Sequence, residues 1–158
     1  MSHYGLQTDN EGYVIVYTDG CCTNNGYSGA RAGIGVFFSD GNHLNVSEPL
    51  IGRATNQRAE LHAVIAACKQ ALGAGIRKLQ INTDSHYTMN CATKWVNDWL
   101  NNGWINARGN PVSNKSDIQE MLSLVDQLRV KWITVPAHSG IYGNVQADRL
   151  ANQGAAKY

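Results

Sequence analysis

Over the first fifty residues the apolar positions come in short blocks, with none of the three-and-four spacing of a helix. Tyr13-Val-Ile-Val-Tyr-Thr18 is β-branched or aromatic throughout, which predicts a strand covered on both faces and ending at the turn signal Asp19-Gly20. A polar, glycine-containing stretch over 20–31 leads to a second strand, Ala32–Phe38. Asp40-Gly41 then reads as a hairpin turn and His43–Val46 as a third strand, so these strands are expected to form an antiparallel meander.

The period changes after residue 56. Leu61, Val64, Ile65, Cys68 and Leu72 recur at helical spacing, which predicts a helix over 57–72 with Thr55 or Asn56 as its cap. Lys78–Thr83 alternates like a strand and ends in another acid, Asp84. From Ser85 the chain reads as an interrupted helix to Leu100, a turn-rich loop follows over 101–114, and Ile118, Met121, Leu122, Val125 and Leu128 mark a further amphipathic helix. Val130–Val135 is predicted as the fifth strand and Val145–Ala156 as the last helix, with a loop over 136–144 between them. The order βββαβαβα implies an α/β fold: a five-stranded mixed sheet, three antiparallel strands followed by two parallel ones, with helices on both faces. In such sheets, sites gather at strand ends near the topological switch.

A length of 158 residues and 43% hydrophobic content suit one domain with a core that does not depend on disulfides. No long apolar run marks a membrane span or a secretory leader, so an intracellular, membrane-free protein is expected. Cys21, Cys22, Cys68 and Cys91 show neither CxxC nor finger-like spacing and read as structural thiols in a reducing compartment. A net charge of +1 lacks the basic excess of proteins that grip phosphates by global charge, so any nucleic-acid contact must come from a local patch.

The scarcity of acids changes the picture more. Only 12 Asp and Glu are present, and four of them stand at element ends: Asp19 and Asp84 after predicted strands, Glu60 in the first turn of the first helix, and Asp148 at the opening of the last. Each alone is more commonly a turn, a cap or a complement to the helix dipole. If the first and fourth strands are parallel neighbours, however, Asp19 and Asp84 emerge side by side. Hard divalent cations prefer oxygen ligands, and two magnesium ions would balance four carboxylates. Without metal the acids should repel one another, so that some of their pKa values rise and they titrate as a coupled set.

Further motifs carry a resemblance. Tyr17-Thr-Asp-Gly-Cys21, Arg31-Ala-Gly-Ile-Gly-Val36, Gly52-Arg-Ala-Thr-Asn-Gln-Arg-Ala-Glu-Leu-His62, Thr83-Asp-Ser85, Trp95 with Trp99, Asn102-Gly-Trp104 and His138-Ser-Gly140 closely resemble ribonuclease H type 1, in the eukaryotic form of its catalytic domain. The resemblance covers about Tyr13 to Ala155. It implies a ribonuclease H-like fold over 13–158 after an N-terminal extension of 1–12, and cleavage of the RNA strand of RNA/DNA hybrids to leave 5′-phosphate and 3′-hydroxyl ends. It assigns Asp19, Glu60, Asp84 and Asp148 to two Mg2+ ions, with Mn2+ as a substitute, and His138, on a mobile loop, to proton transfer or product release.

By the same resemblance, Asn25, Asn56 and Gln57 would meet the RNA strand, where 2′-hydroxyls distinguish it from DNA. Arg53, Thr55 and Asn114 would surround a DNA phosphate, and Tyr87, Trp95 and Trp99 would line the path of the DNA strand. Lys94 and Arg108, with Lys115 nearby, would supply the local positive patch. The sequence departs from the family at Ala137, where glycine usually precedes the histidine, at Val145, where glutamate is common, and at His86, often apolar. Met1–Gly12 is too short for the hybrid-binding domain that often precedes the catalytic one, and a monomer is expected. A non-catalytic hybrid-binding module and a strand transferase or reverse-transcriptase nuclease on the same sheet are the alternative readings.

Overall fold

The computed structural model describes residues 5–137 and 139–157. Among the described residues, β1 (Val14–Thr23), β2 (Arg31–Phe37), β3 (Val46–Pro49), β4 (Lys78–Thr83) and β5 (Arg129–Thr134) form one sheet in the order β3-β2-β1-β4-β5. β1, β2 and β3 pair antiparallel in sequence order, and β4 runs parallel to both β1 and β5. The mixed sheet is therefore as the hydrophobic pattern predicts. The helices are α1 (Asn56–Gly73), α2 (His86–Asn90), α3 (Val96–Asn102), α4 (Lys115–Val125) and α5 (Tyr142–Ala155). The interruption expected after Ser85 is a π-helical turn, Cys91–Trp95, between α2 and α3.

Alternation along β1 sends neighbouring residues to opposite faces. Gly20 lies so close to α1 that an added Cβ would collide with the backbone of Ala59 and Glu60. Gly35, the strand partner of Asp19, meets the carbonyl of Ala147 on α5 in the same way. These bare positions let α1 approach one face and α5 the other, which covers both sides as expected. Val16, Val36, Leu61, Val64, Ile81 and Met121 are fully buried, so the sheet, α1 and α4 share one core.

Three local expectations are corrected. β1 does not stop at Thr18: β2 continues to pair with it from Asp19↔Gly35 to Thr23↔Arg31, which holds Asp19-Gly20 in extended backbone. β3 is Val46–Pro49 instead of His43–Val46, and the tight hairpin at Asp40-Gly41 is replaced by a wider loop. Two asparagine side chains staple that loop, Asn45 accepting from Phe38 N at 2.7 Å and Asn42 from Leu44 N at 2.9 Å. Finally, α5 begins at Tyr142, three residues before the predicted Val145, because Gly143 packs directly on the Tyr17 ring.

Upstream of β1 the chain is held to the sheet: Ile15 N donates to Gln7 O at 2.8 Å and Thr8 bridges to Val14. Lys131 of β5 reaches Asp9 at 2.7 Å and Glu11 at 2.5 Å. Among the described residues, no helix is long and apolar enough to cross a membrane.

Candidate active site

The last parallel pair of β1 and β4 is Thr18↔Thr83, so Asp19 and Asp84 leave that pairing side by side. Beyond it, β1 stays ordered by β2 alone, while the β4 chain turns into α2, whose N-cap Ser85 accepts from Thr88 N at 3.1 Å. Glu60 is the fifth residue of α1, past the first turn in which the sequence placed it. The close approach of α1 at Gly20 brings it to the sheet, and Gly20 N donates to Glu60 Oε1 at 3.1 Å and to Asp19 Oδ1 at 3.0 Å. Asp148 is the seventh residue of α5 and so lies in the helix interior, not at its opening. It follows Ala147, the residue that passes over Gly35.

Ligand oxygens of Asp19, Glu60 and Asp84 lie within 4.8 Å of one another. Asp148 stands just outside that trio yet close enough to act on both Asp19 and Glu60. Asp19 is only 5% exposed. Burial first, then repulsion from Glu60 and Asp84, pushes its carboxyl up to about 10, and contacts with Glu60 and Asp148 also favour the protonated form. Burial likewise pushes Glu60 up to about 7, with Asp84 and Asp148 adding to the rise and the Asp19 and Gly20 hydrogen bonds opposing it. The Oε2 atom of Glu60 is buried and without a hydrogen-bond partner among the described residues.

A hard divalent cation fits this set. All the donors are carboxylate oxygens, one of them is an orphaned buried acceptor, and the charge they accumulate calls for positive charge from outside. Asp19, Glu60 and Asp84 are the residues brought close enough to share an ion, and Asp148 is the neighbour placed to join them. Of the four acids, Asp19 and Glu60 carry the upward shift and act on one another, as expected for part of the set.

His138 lies outside the described residues. On either side of it, Ser139 Oγ donates to Pro136 O at 2.8 Å, and Ala137 is exposed. Val145 and His86, the other departures from the family, are also exposed. Cys21 and Cys22 are free and half-buried, more open than structural thiols need to be, while Cys68 and Cys91 are buried as expected.

The residues expected to meet the two strands fall into two groups. Asn25 Oδ1 accepts from Asn56 N at 3.2 Å, which joins the loop after β1 to the start of α1, with Gln57 exposed beside them. On the other side, Arg53 Nη2 donates to Asn114 Oδ1 at 2.9 Å and Asn114 Nδ2 donates to the Tyr87 hydroxyl at 3.1 Å. Thr55 spends its hydroxyl capping α1, accepting from Arg58 N at 3.1 Å. Tyr87, Trp95 and Trp99 form a chain of ring contacts at 6.1 and 6.0 Å.

Sequence reasoning missed one member of that chain. Trp104 stacks on Trp99 at 5.4 Å, and Lys115 lies 6.0 Å from its ring. The signal was present in Asn102-Gly-Trp104: Gly103 at φ +75° ends α3, and the next residue turns back onto it. Arg58 and Asp117, which join α1 to α4 at 3.3 Å, were also missed.

A sequence model of the family described as RNase H matches residues 11–156. The chain belongs to the ribonuclease H family. Its fold is the ribonuclease H-like fold. Within that family it is 51% identical over 142 residues to mouse Ribonuclease H1; the match covers 90% of this chain and 50% of that protein, so the chain spans about half the length of that relative. The crystal structure of LC9-RNase H1, a type 1 RNase H with the type 2 active-site motif, superposes with a TM-score of 0.71 at 34% identity, covering 90% of this chain and 71% of that one. A foamy viral protease-reverse transcriptase in complex with an RNA/DNA hybrid superposes with a TM-score of 0.73 at 25% identity, covering 91% of this chain and 20% of that one.

Proposed function

We propose that this chain is an endonuclease that hydrolyses the RNA strand of RNA/DNA hybrids and leaves 5′-phosphate and 3′-hydroxyl ends. The observation that carries the reading is the convergence of Asp19, Glu60 and Asp84 within 4.8 Å, with Asp148 beside them, in a member of this family. These four acids would hold two magnesium ions, or manganese, which prefers the same oxygen donors. When bound, the ions supply positive charge for an attacking water and for the departing 3′-oxygen.

The chain's own residues do the rest. The Gly20 N–H fixes one oxygen of Glu60, while the other, buried, makes no hydrogen bond among the described residues and is open to a cation. Asn25, Asn56 and Gln57 meet the RNA strand and read its 2′-hydroxyls. Arg53 and Asn114, with Thr55 beside them, take a DNA phosphate, and the rings of Tyr87, Trp95, Trp99 and Trp104 carry the DNA sugars and bases beyond it. His138 moves a proton or hastens product departure. The related fold solved with an RNA/DNA hybrid supports the choice of substrate.

The test is incubation with magnesium and end-labelled hybrid, duplex RNA and duplex DNA in parallel. The RNA of the hybrid should be cut and the other duplexes spared. A protein that shifts the hybrid in a gel and leaves its RNA intact would be a binding module, and the catalytic reading would fail.

A further inference from the structure

We infer that Arg58, acting through Asp117, positions the DNA-phosphate pocket and so sets hybrid affinity separately from the cleavage step; this rests on the reading of Arg53 and Asn114 as that pocket.

The two halves of the pocket come from distant segments. Arg53 belongs to the bend before α1, and Asn114 is the residue just before α4. The guanidinium of Arg58 binds both segments at once. Its Nη1 donates to Ile51 O at 3.2 Å and to Arg53 O, which fixes the backbone that carries the Arg53 side chain. Its Nε and Nη2 each lie 3.3 Å from Asp117 Oδ1, in the first turn of α4 and three residues from Asn114. The bend wraps closely around this group. Gly52 adopts φ +87°, and a Cβ there would come within 3.4 Å of Nη1.

Asn114 itself is held away from its ordinary task. It occupies the N-cap of α4 at φ +62° and makes no capping bond with its side chain. Asparagine at that position normally accepts from the helix N–H groups, and left-handed backbone is unfavourable even for asparagine. Its amide is spent instead on Arg53 and Tyr87.

The Arg58–Asp117 pair is not the sole attachment of α4, because Ile118 and Met121 of that helix are fully buried in the core. Its geometry suits orientation better. Side-chain exposure is 13% for Arg58 and 17% for Asp117, and His62 Nε2 lies 2.7 Å from the same Asp117 oxygen. Partial burial opposes ionisation of Asp117, but His62 and Arg58 together hold its carboxyl below the ordinary range. A planar fork that bridges two carbonyls and a carboxylate holds a direction that a flexible ammonium cannot.

The experiment measures kcat, KM and Tm for Asp117→Asn, Arg58→Lys, Arg53→Ala and the Arg53→Ala/Asp117→Asn double variant, with magnesium and a labelled hybrid. Asp117→Asn should raise KM about fivefold and leave kcat within about twofold, and in the Arg53→Ala background the same change should move KM by less than about twofold. Arg58→Lys, which keeps the charge and loses the fork, should reproduce the raised KM. If Arg53→Ala raises KM while Asp117→Asn and Arg58→Lys leave it at the wild-type value, the positioning role is overturned and the pocket stands. Equal KM effects of Asp117→Asn with and without Arg53 would also overturn it, because independent action adds. If Arg53→Ala leaves KM unchanged, the pocket reading falls and this inference falls with it.

Discussion

Two groups of acids, one just before β1 and one just past its parallel pairing with β4, are treated in opposite ways. Near the start of β1, Asp9 and Glu11 share Lys131, whose ammonium also stands 4.5 Å from the Tyr13 ring. Hydrogen bonding to Lys131 brings Asp9 down to about 2, and the same contacts raise Lys131 above its ordinary value. Past the end of the parallel pairing, burial and mutual repulsion push Asp19 up to about 10 and Glu60 up to about 7. One cluster is balanced within the chain and serves the fold. The other accumulates like charge under partial burial, which opposes folding and favours capture of a cation. Acid residues alone do not mark the site; at Asp19 and Glu60, burial together with neighbouring acids does, whereas Asp9 is given a cation.

The sharpest way to break this comparison is to neutralise one acid from each cluster. Asp84→Asn should lower kcat at saturating magnesium by about 10³-fold or more with the circular dichroism of the fold retained, whereas Asp9→Asn should leave kcat within about twofold. Comparable kinetic losses in the two variants would show that the clusters do not differ in role.

The next effect is on metal-free stability. Carboxyls whose folded pKa is raised bind protons more tightly in the folded state than in the unfolded one. Stability in chelator should therefore fall as pH rises from the ordinary carboxylate range through about 7 and on toward 10. Thermal melts between pH 5 and 9 should show this fall, magnesium should reverse it, and Asp19→Asn should raise the metal-free Tm by about 3–6 °C at pH 8 and flatten the slope. A metal-free Tm that climbs over this range would contradict the assignment.

The smallest effect belongs to the balanced cluster. The Asp9 pKa is lowered, so its contribution is present above the ordinary carboxylate range and is lost as pH falls through about 2. Lys131→Met should lower Tm at pH 7 by about 1–2 °C, and the difference from wild type should shrink as pH approaches 2. A difference that stays the same on acidification would mean that Lys131 acts by packing on Tyr13 instead of by charge.

Much of the fold was readable in the sequence because it depends on local periodicity. The β-branched block at 13–18 overlaps β1 from Val14 on, the alternation at 78–83 and the helical stripe from Leu61 to Leu72 lie inside β4 and α1, and Thr55 caps α1 as its residue type suggests. The misses have two causes. Asp19-Gly20 looks like a turn until β2 is present to pair with it, His43–Val46 looks like a strand until Asn42 and Asn45 staple the loop, and α5 looks shorter until Gly143 meets Tyr17. In the first and last cases a partner distant in sequence overrode a local preference, and in the second the asparagine side chains of the loop itself did.

Residue identity by itself supplied the chemistry: four acids suited to hard cations, aromatic rings for a strand of nucleic acid, and motifs distinctive enough to carry the family. Only the packing of α1 and α5 against glycines on β1 and β2 brought Glu60 and Asp148 to the Asp19–Asp84 pair that β1 and β4 set side by side, and raised the pKa values of Asp19 and Glu60. Packing alone also turned Asn114 from a helix cap into a partner of Arg53, and Arg58 from one residue of a motif into a link between α1 and α4. The physical reason is one of range. Propensity and spacing act over a few residues, whereas repulsion, burial and hydrogen-bond choice depend on neighbours that only the folded chain assembles.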